Sequence, residues 1–144
     1  MGSPPFFCGP LGAGLASKQI NNYLSGITTI GTCEAMNMGV RYGLDPKILA
    51  GIINVSSGRN YNCELMNPVR GVVEGNIAEK DFQGGFSMEL CLGVLRLGRE
   101  LSQQLGVKSI FGEQLLDAFE QAAEDPRCKG KDSRSIYKWI ADEK

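Results

Sequence analysis

Lys18 and Asn22 stand four residues apart, behind the glycines Gly9, Gly12 and Gly14 in the run GPLGAGLASKQINN. On a helix that spacing puts an amine and a carboxamide on one face, one turn apart. An amine so placed can give a proton to a carbonyl oxygen or take one from an alcohol. The amide can hold the same molecule by hydrogen bonds. The glycines let a ligand come close to the backbone at a helix start, where free amides favour an anion such as a carboxylate. Partial burial beside a positive helix end would suit an amine to that proton transfer. The plainer reading is an exposed helix lysine beside a polar neighbour, and spacing alone leaves both open.

The same glycines could instead cradle a dinucleotide. A short strand, a glycine run and then a helix is the local context of that fingerprint. Glu34 even lies about 20 residues on, where a ribose-binding acid is expected. That acid should end a second strand, whereas Glu34 falls inside a helix-like segment. No strand–helix–strand unit surrounds the glycines, so the loop reading is set aside.

Other chemistries are excluded more firmly. The 144 residues contain no histidine, which rules out Ser-His-Asp and Cys-His hydrolases. Proton transfer must fall to Lys, Tyr, Cys or a carboxylate. Five cysteines (Cys8, Cys33, Cys63, Cys91 and Cys128) lie far apart, with no pair at zinc-site spacing. Thiols in a reducing compartment, with Cys33 and Cys91 buried as small apolar residues, account for them. A formal net charge of −1 removes the usual electrostatic case for nucleic acid. No apolar run approaches the roughly 18 residues that cross a bilayer. At 42% hydrophobic, the chain has the material for one compact core.

The elements that must position Lys18 and Asn22 read as helices. Leu15, Ile20, Leu24, Ile27, Ile30, Met38 and Val40 recur at mostly helical intervals, predicting one long buried helix over residues 14–42. Ser25, Gly26, Gly31 and Ala35 in its middle would let another helix approach closely. Gly43 closes it, and Asp45 and Pro46 supply the N-cap and first position of a second helix that stops near Ser57 and Gly58. Residues 59–85 read as an irregular connection, either functional or packed. Further helices are expected over 87–105, over 109–123, and from Asp132 or Ser133 through Trp139. The apolar "FFC" before Gly9 reads as a strand-like stub. The fold class is therefore all-α, with residues 1–11 as the stub and 12–144 as the helical domain.

The run GAGLASKQINNYLSGITTIGTCEAMNMGVRYGLDPKILAGIINVSSGRN, with the later NPVRGVVEGN and FQGGFSMEL, resembles the helical second domain of the β-hydroxyacid dehydrogenases. Within that family it is most similar to the 3-hydroxyisobutyrate dehydrogenases. The resemblance implies a parent protein with a preceding Rossmann domain that binds NAD or NADP, so this chain is a fragment and no cofactor is expected on it alone. It implies oxidation of a small 3-hydroxy acid to its semialdehyde, or the reverse. It puts the catalytic lysine on Lys18 and substrate contacts on Asn22, Gly14 and Phe86. It further implies a homodimer or larger homo-oligomer, no membrane partner, and a mitochondrial matrix or bacterial cytoplasmic setting.

One departure stands out. The family carries Lys-Asp after the GGF segment, its lysine reaching the cofactor, and the aligned residues here are Gly93 and Val94. Arg96 is the nearest basic residue, on a neighbouring helix face. That loss favours a second class of function, a non-catalytic helical module for self-association. The retained Lys18 and Asn22 favour the oxidoreductase. Elsewhere Met36, Met38, Met66 and Met88 read as core or interface fillers, AEDP and KGKDSR as a solvated helix end and loop, and Trp139 as the anchor of the last helix.

Overall fold

The computed structural model describes residues 5–142. Its first helix, α1 (Ala13–Tyr42), runs unbroken for 30 residues, about 45 Å at 1.5 Å per residue. Gly12 enters it at φ 93° and Gly43 closes it at φ 94°, donating to Gly39 and Val40 carbonyls. Both positions are left-handed, where glycine carries no Cβ penalty. The remaining helices, α2 (Pro46–Asn54), α3 (Tyr61–Glu64), α4 (Met88–Gln104), α5 (Gly112–Glu124) and α6 (Ile136–Ala141), all pack on α1. Asp45 caps α2 by accepting from the amides of Lys47 and Ile48, and Ser87 caps α4 by accepting from Leu90.

The core gathers Met36, Met88, Leu95, Phe119, Ile136, Cys33 and Cys128, all fully buried. Cys33 and Cys91 are buried free thiols, as are Cys63 and Cys128; Cys8 is exposed. Trp139 is half-buried against the core.

The core-facing side of α1 differs from the expected one. Gly26, Thr29, Cys33, Met36 and Gly39 point inward, while Leu15, Ile20, Leu24, Met38 and Val40 are exposed. Only Ile27 and Ile30 of the apolar series pack partly against the core. Small residues win the inward face because the helices approach so closely. A Cβ on Gly26 would lie 2.6 Å from Leu95, and one on Gly39 2.1 Å from Leu49.

The connection between α2 and α4 is packed. Asn60 caps the single turn of α3 and accepts from Thr32 at 3.1 Å. Asn62 donates to the Ser25 carbonyl and the Thr28 hydroxyl of α1. Asn76 donates to the carbonyl of buried Asn67 and caps the 3₁₀ turn Ile77–Lys80. Neither short helix was expected, since a single turn gives too brief a period to read.

Among the described residues no strand forms. Residues 5–9, including the exposed Phe6 and Phe7, are irregular, because an extended segment needs a neighbouring strand to pair with. Residues 1–4 of the expected stub lie outside the described residues. No helix among the described residues is long and apolar enough to cross a membrane.

Candidate active site

Three of the four expected site residues meet at one open cavity of about 280 Å³, against which Lys18, Asn22 and Phe86 all lie. Lys18 and Asn22 share a face of α1, and Ser25, Gly26 and Thr29 continue that face inward. Lys18 is exposed at the rim rather than half-buried, and Asn22 is half-buried. The opposite wall is Cys91 and Val94 of α4. Gly14 does not line the cavity; it is exposed, and a Cβ there would meet nothing within 4 Å.

Phe86 is held in place by a segment far away in sequence. The amides of Asp132 and Ser133 donate to the carbonyls of Phe82 and Phe86, and Met88 donates to Lys131, each at 2.9 Å. The Asp132 carboxylate accepts from the Phe86 amide at 2.8 Å. Gly85, at φ 71°, lies so close to it that a Cβ would come within 2.3 Å of Oδ2. Glycine is therefore required there twice over, by its backbone angle and by space.

This clamp also brings Ser133 and Arg134 to the cavity, two residues that sequence reasoning missed. KGKDSR is not a solvated loop: Asp132 is 1% exposed and Ser133 is buried. The guanidinium of Arg134, only 13% exposed, pairs with Asp132 at 3.2 Å. AEDP is likewise not simply solvated, because Asp125 accepts from Arg127 at 2.7 Å. Arg127 holds the Asp125 carboxyl down to about 2. At the cavity wall, burial pushes the Cys91 thiol up to about 11, against the pull of the Ser133 hydroxyl and Arg134. At neutral pH Cys91 is therefore a protonated thiol and no nucleophile.

The side chains available match substrate handling better than cofactor binding. Gly93 has no side chain to offer a ligand, and a Cβ there would meet no atom within 4 Å. Arg96 does not replace the missing lysine, since it pairs with Glu120 of α5 at 2.8 Å. The glycines before α1 precede a helix with no strand ahead of them among the described residues.

Residues 12–140 match the family described as the NAD-binding domain of NADP-dependent 3-hydroxyisobutyrate dehydrogenase. The chain belongs to the 3-hydroxyisobutyrate dehydrogenase family. The mitochondrial 3-hydroxyisobutyrate dehydrogenase of Bos taurus is 38% identical over 143 residues, 99% of this chain and 42% of that protein. The NAD-dependent L-serine dehydrogenase of Pseudomonas aeruginosa is 40% identical over 119 residues, 83% of this chain and 40% of that one. The solved Mycobacterium tuberculosis 3-hydroxyisobutyrate dehydrogenase with L-serine superposes with a TM-score of 0.83 at 28% identity, covering 92% of this chain and 45% of that one. The chain thus spans about two fifths of the length of the curated family members it matches.

Proposed function

We propose that this chain supplies the substrate-side half of an NAD(P)-dependent dehydrogenase that interconverts a small 3-hydroxy acid, 3-hydroxyisobutyrate first among candidates, and its semialdehyde. The observation that carries this is the meeting of Lys18 and Asn22 at one cavity with Phe86, in a chain of this family. The Lys18 amine takes the hydroxyl proton during oxidation and returns it during reduction. The Asn22 amide orients the substrate, and Phe86 covers its apolar side. Gly14 acts by leaving room at the start of α1 rather than by touching the ligand. The nicotinamide, held by another part of the protein, takes or gives the hydride. Mitochondrial naming of the mammalian relatives suits a matrix location if the source is eukaryotic; a bacterial source would make it cytoplasmic.

In the full-length protein Lys18→Ala should lower kcat by roughly 10²–10⁴-fold, the range for losing a general acid/base. The fold should persist, because Lys18 is exposed. Unchanged turnover would return Lys18 to an ordinary surface lysine. The chain alone should neither turn over hydroxy acids nor bind NAD(P), and calorimetric titration showing micromolar binding would overturn this.

The second reading is a self-association module that has left catalysis. Gly93 and Val94, in place of the family's Lys-Asp, favour it, and so does the apolar outward face of α1. Both readings include a homodimer.

A further inference from the structure

The Lys18 cavity is longer than a small hydroxy acid requires, and its wall carries a second cation with unspent hydrogen-bond donors. Along α1, Asn22 lies one turn inward of Lys18, about 6 Å, and Thr29 is about 16 Å inward. A three- or four-carbon acid with its hydroxyl at Lys18 reaches Asn22 and stops. Arg134 lines the same cavity, together with Thr29 of α1 and Cys91 and Val94 of α4. Its charge acts on the thiols of Cys91 in the cavity wall and of Cys33, one turn beyond Thr29.

Arg134 has five donors on its planar fork. Nη1 meets Asp132 at 3.2 and 3.4 Å. Nε is buried without a partner, and Nη2 makes no hydrogen bond within the described chain. A guanidinium only 13% exposed, with Nε and Nη2 unused, favours a further acceptor, and a carboxylate is the charged acceptor that suits it. The charge balance agrees. Lys18 and Arg134 bring two positive charges to a cavity with no acid in its lining among the described residues, and the carboxylate paired with Arg134, on Asp132, already accepts from the Phe86 and Arg134 amides and from Nη1.

We infer that Arg134 is a specificity-determining residue that receives a second carboxylate, so that the preferred substrate is a hydroxy dicarboxylic acid. Its hydroxyl end lies at Lys18 and its distal acid on the guanidinium of Arg134 in the same cavity. Asp132 is the positioning residue, holding the guanidinium against the Phe86 loop. The inference rests on reading the cavity as a hydroxy-acid site.

Two measurements separate the two ideas. In the full-length protein, kcat/KM is compared for 3-hydroxyisobutyrate and for 2-(hydroxymethyl)glutarate, which shares its hydroxymethyl acid end. The dicarboxylate should be favoured roughly ten- to a hundredfold, the scale of a charge-assisted pair. Arg134→Gln should remove that preference, mainly through KM. Arg134→Lys keeps a charge for Asp132 without the fork; it should fold where the glutamine variant does not, and still lose most of the preference. The second measurement titrates the protein with glutarate, which has no hydroxyl to oxidise, and with butyrate. Glutarate should bind more tightly than butyrate, and only glutarate should weaken in the Arg134 variants. Turnover with no Arg134-dependent preference overturns the inference and leaves the dehydrogenase reading intact. Arg134-dependent glutarate binding without turnover of either acid overturns the dehydrogenase reading and the substrate with it, and keeps only a carboxylate site at Arg134.

Discussion

Gly93 is an exposed position of α4 at which a side chain would meet nothing within 4 Å. A lysine can therefore be installed there without displacing the core. If the parent protein has lost a cofactor contact at this point, Gly93→Lys should tighten NAD(P) binding by roughly ten- to a hundredfold, the worth of a charge-assisted hydrogen bond. Dissociation constants of the two full-length proteins measure it, and equal values would mean that another side chain already serves. The residues legible in the sequence share a reason with those that were not. Lys18 and Asn22 are neighbours on one helix face, so their spacing alone placed them together. Ser25 and Thr29 continue the same stripe and could have been read from it, at seven and eleven residues beyond Lys18. Ser133 and Arg134 reach the cavity only through the backbone clamp to Phe82, Phe86 and Met88, and no local pattern announces such a bridge.

At the scale of elements, α1 is held by close approach rather than by large apolar side chains. Its two mid-helix glycines should consequently respond in opposite ways to the same change. At Gly31 a methyl would meet nothing within 4 Å, so Gly31→Ala gains helix propensity, about 1 kcal/mol. At Gly26 the methyl would lie 2.6 Å from Leu95 and 3.4 Å from Leu115. Overpacking of that kind costs about 1–3 kcal/mol, which equals or exceeds the propensity gain. Chemical denaturation of the two variants should therefore show Gly31→Ala above the parent and Gly26→Ala level with it or below. A Gly26→Ala protein as stable as Gly31→Ala would show that α4 can shift away cheaply. The caps were readable for a physical reason: Gly43, Asp45 with Pro46, and Ser87 each satisfy backbone groups locally. The start of α5 was not, because Ser109 spends its hydroxyl on Tyr23 at 2.6 Å and the helix begins uncapped after Phe111.

The whole molecule turns on which way the apolar residues of α1 face. Periodicity correctly gave a helix, but it could not give the side that is buried within this chain. Leu15, Ile20, Leu24 and Met38 look outward, and Phe6 and Phe7 are 83% and 94% exposed. A monomeric soluble protein rarely leaves so many large apolar side chains uncovered over a continuous surface. Two partners can share the task. The end of α1 bearing Lys18 follows Phe6 and Phe7 closely in the chain, and a cofactor-binding domain of the kind proposed above would suit it. The other end, with Met38 and Tyr42, lies against α2, where Ile48 and Ile52, and Val55 just after the helix, are also exposed. A second copy related by a two-fold axis can cover that end with the same residues, the commonest closed arrangement. We therefore expect a homodimer through the α1–α2 end, with light scattering at micromolar concentration giving about twice the 15.6 kDa chain mass. Ile52→Asp would place a charge in the middle of that surface and should return the protein to a monomer with its helix content intact. A dimer that survives Ile52→Asp must be built on the Lys18 end, and a wild-type monomer would remove self-association from both readings of its function.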